Sequence, residues 1–225
     1  TGIMKPGFSF QAGAGGITLA FAMFLKKFMK EAGVTASFVR GGSNQYLVEM
    51  LEEGLTPVIL DGQTFDLEGV RSMRENAGHQ NTSPFTSYNF HGKGNFASMV
   101  DVVVLGATEV DVDFNANVVT HSDGRLLHGI GGWQNCLFSK CTILAVPSVR
   151  DRIPVILDEV TTMVGPGELI DVIATGAEQT VTFTQLSTNT GYEGPLLSTF
   201  PSESVTSEPA DNGRSAPAAL CPGDY

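Results

Sequence analysis

Residues 8–33 read FSFQAGAGGITLAFAMFLKKFMKEAG. FSFQAG alternates as a short strand, GAGG turns the chain, and ITLAFAMFLKKFMKEAG carries the apolar spacing of a helix that Gly33 closes. This is a strand, a glycine loop and a helix. Outward from it, TASFVR (35–40) is a second strand, and SNQYLVEMLEEG (43–54) a helix with Ser43 as its cap and Gly54 as its end. TPVILDG (56–62) then reads as a strand and FDLEGVRSMREN (65–76) as a helix with Asp66 near its start. The alternation is βαβαβα, which predicts an α/β fold with a mostly parallel sheet flanked by helices.

Further along, DVVVL, CTILAV, PVILDEV and LIDVIAT are short, nearly continuous apolar runs. Such runs suit strands covered on both faces. Before them, residues 82–95 form a polar, aromatic and glycine-bearing loop long enough to carry function. Ligands of open α/β sheets sit outside the carboxyl ends of the strands. That edge would gather GAGG, RGGSN and GATEVD.

At 225 residues the chain holds one large domain, or one medium domain and a tail. From Gly176 onward, six acids face one arginine, and 23 of fifty residues are Ser, Thr, Pro or Gly. We expect an α/β domain over 1–175 and a disordered acidic tail over 176–225. The net charge of -11 disfavours a nucleic-acid partner. No apolar stretch is long enough for a bilayer, and TGIMKPGFSFQ lacks the parts of a secretory signal. Cys136, Cys141 and Cys221 form no CxxC pair. The expectation is a cytoplasmic protein without membrane contact.

Several segments carry candidate chemistry. Gly13, Gly15 and Gly16, with Gly41 and Gly42 of RGGSN, put backbone N–H groups where a phosphate or developing oxyanion would sit. Tight strand–helix packing would use the same glycines. GAGGIT is not a phosphate loop, because no GK[ST] follows, and as a dinucleotide fingerprint it lacks the last glycine. A second glycine turn, Gly129, Gly131 and Gly132, precedes CTILAV, and a plain turn remains open there. In GATEVDVDFNAN (106–117), alternation directs Glu109, Asp111 and Asp113 to one face, continued by Asn115 and Asn117. These residues suit a polar ligand or a solvated edge strand. Arg71 and Arg74 lie three apart on one helical face, where guanidiniums would grip carboxylates or simply pair with Glu68 and Glu75. Arg40 and Lys93 are further local cations for anionic ligands. The histidines 79, 91, 121 and 128 have no metal-ligand spacing, so no metal site is expected.

Taken together, FSFQAGAGG, LVEMLEEGL, QTFDLEGVRSMREN, DVVVLGATEVDVDFNANV, GIGG and RIPVILDEVTTMVGPGELIDVIAT strongly resemble the citrate lyase alpha subunit family, within the coenzyme A transferase superfamily. The resemblance covers roughly residues 6–175 and corresponds to the C-terminal half of the family chain. It implies a coenzyme A transferase-like (NagB/RpiA-like) domain. The activity it implies exchanges acetyl for citryl on a thioester, giving citryl thioester and acetate. The carrier would be the coenzyme-A-like prosthetic group of the acyl carrier (gamma) subunit, with free coenzyme A as the alternative. This chain itself would bind no cofactor.

The partners implied are citrate, acetate, the acyl carrier and lyase (beta) subunits and an N-terminal transferase half. Gly129, Gly131 and Gly132 are the implied oxyanion turn. Where related transferases carry a Ser-Glu-Asn-Gly segment this chain has RGGSN, so direct anhydride exchange is implied rather than a glutamyl thioester. After GIGG the family usually shows His-Ser-Asp, and here Trp133, Gln134 and Asn135 stand instead. The stretch GAEQTVTFTQLSTN carries no resemblance that we read.

Overall fold

The computed structural model describes residues 2–13, 15–89, 93–120, 124–127, 132–150 and 153–175. The candidates Gly129 and Gly131, the histidines 91, 121 and 128, Cys221 and the expected tail lie outside the described residues.

The opening alternation is present. β1 (Ser9–Ala12), α1 (Gly16–Ala32), β2 (Phe38–Ser43), α2 (Gln45–Glu52), β3 (Ile59–Thr64) and α3 (Leu67–Glu75) follow one another, and β4 (His79–Asn81) adds a short edge strand. Gly33 ends α1 in the left-handed conformation, with φ 63°. Asp66 caps α3, its Oδ1 accepting from the Gly69 N–H at 2.7 Å. The cap of α2 is Asn44 rather than Ser43: its Oδ1 accepts from the N–H groups of Tyr46 and Leu47. Ser43 stays in β2 because Asp61 binds both its N–H and its hydroxyl.

After the loop helix α4 (Pro84–Tyr88) come β5 (Val102–Leu105), β6 (Glu109–Asp111), β7 (Ala116–Asn117) and α5 (Trp133–Cys136). β8 (Thr142–Val146), β9 (Val149–Arg150), β10 (Ile153–Pro154), β11 (Ile156–Leu157) and β12 (Val172–Thr175) complete the described strands and α-helices. The main sheet has seven strands in the order β12-β8-β5-β1-β2-β3-β4. Every adjacent pair in it is parallel.

β5 shows why continuous apolar runs predicted this sheet. Val102 and Val104 enter one core, with Phe10, Val39, Ile59 and the inner faces of α1 and α2. Val103 and Leu105 enter the other, with Val110, Phe114, Leu137 and Leu144. Both faces are covered, so no alternation survives in the sequence. Full burial of a side chain such as Phe10 or Met29 contributes roughly 1.5–3 kcal/mol.

PVILDEV departs from expectation. It does not join the main sheet: Ile153 and Pro154 pair antiparallel with β9, and Ile156 and Leu157 pair parallel with β6 in a small sheet ordered β11-β6-β7. Pro154 lacks the N–H that a central strand must donate.

Candidate active site at the carboxyl edge of the sheet

The strand order creates a switch point. From β1 the chain builds outward through β2, β3 and β4, then returns to place β5 on the other side of β1 and continues through β8 to β12. The connections leaving β1 and β5 therefore diverge at their carboxyl ends, the place where open α/β sheets bind their ligands. GAGG leaves β1 at this point. The Thr18 hydroxyl donates to the Gly13 and Gly15 carbonyls at 2.8 and 2.9 Å and fixes the turn. No side chain caps α1, and no acid lies in its first turn. A 17-residue helix thus points its positive dipole end at the switch point.

Gly41 lies beside this turn with φ 109°, and a Cβ there would stand 2.8 Å from the Ala12 carbonyl oxygen. Only glycine fits this backbone. Gly42 follows at a register shift in the β2–β3 ladder and lies against the Phe65 ring. Gly13 is less constrained, with nothing closer than 3.6 Å to a built Cβ.

The end of β3 is held by a buried carboxylate. Asp61 Oδ1 accepts from the N–H groups of Ser43 and Gln63 at 3.2 and 2.9 Å. Oδ2 accepts from the hydroxyls of Ser43 and Thr64 at 2.7 and 2.9 Å, and His79 Nε2 lies 3.3 Å away. His79 Nδ1 in turn contacts the Ser72 hydroxyl at 2.9 Å. Burial pushes the Asp61 carboxyl upward, but the hydrogen bonds from His79, Ser43, Thr64 and Gln63 outweigh it and hold it below the ordinary range. This network locks β2, β3, β4 and α3 together behind the glycine edge.

One residue picked from sequence only as a local cation proves to be deeply placed. Arg40 is 1% exposed. It is the register partner of Gln11, which also pairs with Val103, so Arg40 shares the second-core face of the sheet with them. Its Cζ lies 5.0 Å from the centroid of the Tyr88 ring, brought over by α4. Tyr88 is seated close against the backbone at Gly132, where a Cβ would stand 2.2 Å from the ring. Gln11 Nε2 donates to the Cys136 Sγ at 2.7 Å. Burial pushes the Cys136 thiol up to about 11, so it is protonated near neutrality and is no nucleophile.

The segment 106–117 folds back on itself. β6 ends at Asp111, Phe114 turns with φ 69°, and β7 returns antiparallel with Glu109 opposite Asn117. Val112 is exposed and Phe114 buried, so the alternation stops at the turn. Asp111 accepts from the N–H groups of Asp113, Asn115 and Val160 and from the Asn115 side chain. Asn117 Nδ2 donates to Glu109 Oε2 at 2.8 Å, and Asn115 Oδ1 accepts from the Gly167 N–H. Glu109, Asp111 and Asn117 are buried. Their polar atoms meet one another and the neighbouring backbone.

Arg71 pairs with Glu52, Glu68 and Glu75, and Arg74 with Glu75, on the outside of the molecule. Glu52 closes α2 at the amino end of the strands, so the structure does not bring these arginines together with the glycine turns. Trp133 was noted for the polarity it replaces. Its Nε1 donates to the Gly106 carbonyl at 3.0 Å and its ring packs on Gly165, closing the end of β5. Among the described residues no group of three or more His, Cys, Asp or Glu is arranged to hold a metal, and no helix is long and apolar enough to cross a membrane.

The sequence model of the family described as "Citrate lyase, alpha subunit (CitF)" matches residues 1–188. The match runs past Thr175, so GAEQTVTFTQLST belongs to it, contrary to our reading of the sequence. The citrate lyase alpha chain of Klebsiella pneumoniae is 40% identical over 176 residues, covering 78% of this chain and 35% of that one. The corresponding chain of Escherichia coli (strain K12) is 39% identical, covering 78% and 34%. This chain therefore spans about a third of the length of the curated relatives it matches. Among solved structures, one described as the alpha subunit of citrate lyase in complex with citrate, from Streptococcus mutans, superposes with TM-score 0.78 at 33% identity, covering 95% of this chain and 42% of that one. A malonate decarboxylase alpha subunit from Acinetobacter baumannii shares the fold, with TM-score 0.60 at 14% identity over 78% of this chain and 40% of that one. The chain belongs to the citrate lyase alpha subunit family.

Proposed function

We propose that this chain is a C-terminal part of a cytoplasmic acyl transferase that exchanges acetyl for citryl on a thioester. The α1 N-terminus and its glycine turn at the β1–β5 switch point carry this reading, together with membership of a family in which one relative was solved with citrate. A citrate carboxylate attacks the acetyl carbonyl and expels the thiolate, giving a mixed anhydride. The thiolate then attacks the citryl carbonyl and releases acetate. Each tetrahedral intermediate carries an oxyanion. The N–H groups of the 13–16, 41–42 and 129–132 turns are the proposed donors to it.

The thioester is the coenzyme-A-like group of an acyl carrier partner and is a substrate here. The protonated Cys136 thiol offers no competing acceptor for the acyl group. Glu109, Asp111, Asn115 and Asn117 shape the wall of the site through the β6–β7 hairpin. The remaining part of the family chain supplies the facing half of the site.

The test is citryl thioester formation from labelled citrate, with acetyl-carrier protein and acetyl-coenzyme A compared as donors. The reading predicts turnover when this chain is joined by the N-terminal half of a family alpha subunit, with the carrier-bound donor preferred. No turnover under that condition, with binding to complex partners retained, would reduce the chain to a scaffold.

A further inference from the structure

Arg40 poses a physical problem that the fold does not solve by itself. Its Nε, Nη1 and Nη2 are all buried, and among the described residues no carboxylate pairs with them; the Tyr88 side chain interacts with the guanidinium but carries no charge. An arginine stays protonated at any physiological pH, so this charge cannot be relieved by neutralisation. A buried, unpaired cation opposes folding strongly, and buried charges in proteins are paired or hydrogen-bonded. Tyr88 and Cys136 beside it are neutral. Tyr88 presents its ring face to the guanidinium, and burial holds its phenol protonated. Cys136 is held as the thiol. The buried carboxylate of Asp61, which acts on Tyr88, is taken up by Ser43, Gln63, Thr64 and His79.

We infer that Arg40 is the anchor of a carboxylate-binding subsite, in which one carboxylate of the substrate enters in the plane of the guanidinium while Tyr88 covers its face. Two parallel N–H···O bonds match the planar fork. The charge count favours a carboxylate over a phosphate. One cation balances one carboxylate, whereas a dianionic phosphate would bring a surplus negative charge into a buried place. The subsite lies on the strand that delivers Gly41 and Gly42 to the carboxyl edge. A polycarboxylate held by one arm at Arg40 would direct another toward the glycine turns. This assignment rests on the proposed reading that the chain takes citrate.

The experiment compares the chain with its Arg40→Met and Arg40→Lys variants by thermal unfolding and by equilibrium binding of citrate, acetate and inorganic phosphate at constant ionic strength. The unliganded Arg40→Met chain is expected to be at least as stable as the parent, because it sheds an unpaired charge. Its affinity for citrate should fall at least about tenfold, and Arg40→Lys should lie between the two. A clear loss of stability or failure to fold in Arg40→Met would overturn the proposal by revealing an internal partner. Citrate affinity within twofold of the parent in Arg40→Met would overturn it while leaving the reading of a citrate-binding chain intact. If the parent responds to phosphate but to neither carboxylate, both the subsite and the citrate reading fail.

Discussion

Replacing Asp61 by asparagine removes one negative charge and one acceptor from a network with no slack. Oδ1 serves two backbone N–H groups, Ser43 and Gln63, whose donor role is fixed. The single carbonyl oxygen of asparagine must therefore stay on that side. Its NH2 then faces the Ser43 and Thr64 hydroxyls and His79 Nε2, all within 3.3 Å of the present Oδ2. Two hydrogens meet three groups, and each hydroxyl that turns to accept needs a new acceptor for its own proton. A hydrogen bond to a charged group contributes about 1.5–3 kcal/mol, and an orphaned buried group costs about 1–3 kcal/mol. Weakening two backbone bonds and disordering three side-chain contacts should thus destabilise the domain by about 3 kcal/mol, a large share of the 5–15 kcal/mol typical of a folded protein.

Urea denaturation at pH 7 measures this directly. The sign of the pH dependence follows from the depressed carboxyl. Its contribution is present above the unfolded value, about 3.9, and is lost as pH falls through the lower folded value. The gap between parent and Asp61→Asn should close as the pH is taken below about 4. A gap under 1 kcal/mol at pH 7, or one that persists unchanged at low pH, would refute the assigned role.

Three further outcomes are expected. Gly41→Ala should lower stability by about 2–4 kcal/mol in the same assay, from the positive φ and the contact with the Ala12 carbonyl, and a neutral result would mean the turn relaxes freely. Trp133→Phe should lose about 1 kcal/mol through the missing hydrogen bond to Gly106, leaving a part-buried carbonyl short of one donor. Cys136 and Cys141 are buried thiols with their pKa pushed to about 11 and about 12, so an alkylating reagent at pH 8 should modify them, by mass spectrometry, only after unfolding.

The fold was legible where local pattern and tertiary role coincide. FSFQAGAGG and the helix after it announce a strand, a turn and a helix by short-range chemistry, and Val102 to Leu105 read as a doubly covered strand because both faces demand apolar residues. The failures share a cause in long-range packing. Ser43 looked like a helix cap, but Asp61, eighteen positions away, claims it for the strand. PVILDEV has the composition of a central strand, yet Pro154 and the pairing of Ile156 with Val110 divert it. In GATEVDVDFNAN the polar face was visible, but the positive φ of Phe114, which turns that face in on itself, was not. Arg40 was read only as one local cation among several. Its burial depends on a tyrosine from α4 and a thiol from α5, and strand pattern alone carries neither signal.

The most direct test of the account locates citrate on the chain, by amide hydrogen exchange with and without the ligand. The account predicts slowed exchange at the carboxyl edge, in residues 15–18, 40–43 and 86–88, with the outer face of α3 around Arg71 and Arg74 unchanged. Protection confined to α3, or no change anywhere at saturating citrate, would contradict a substrate site at the β1–β5 switch point.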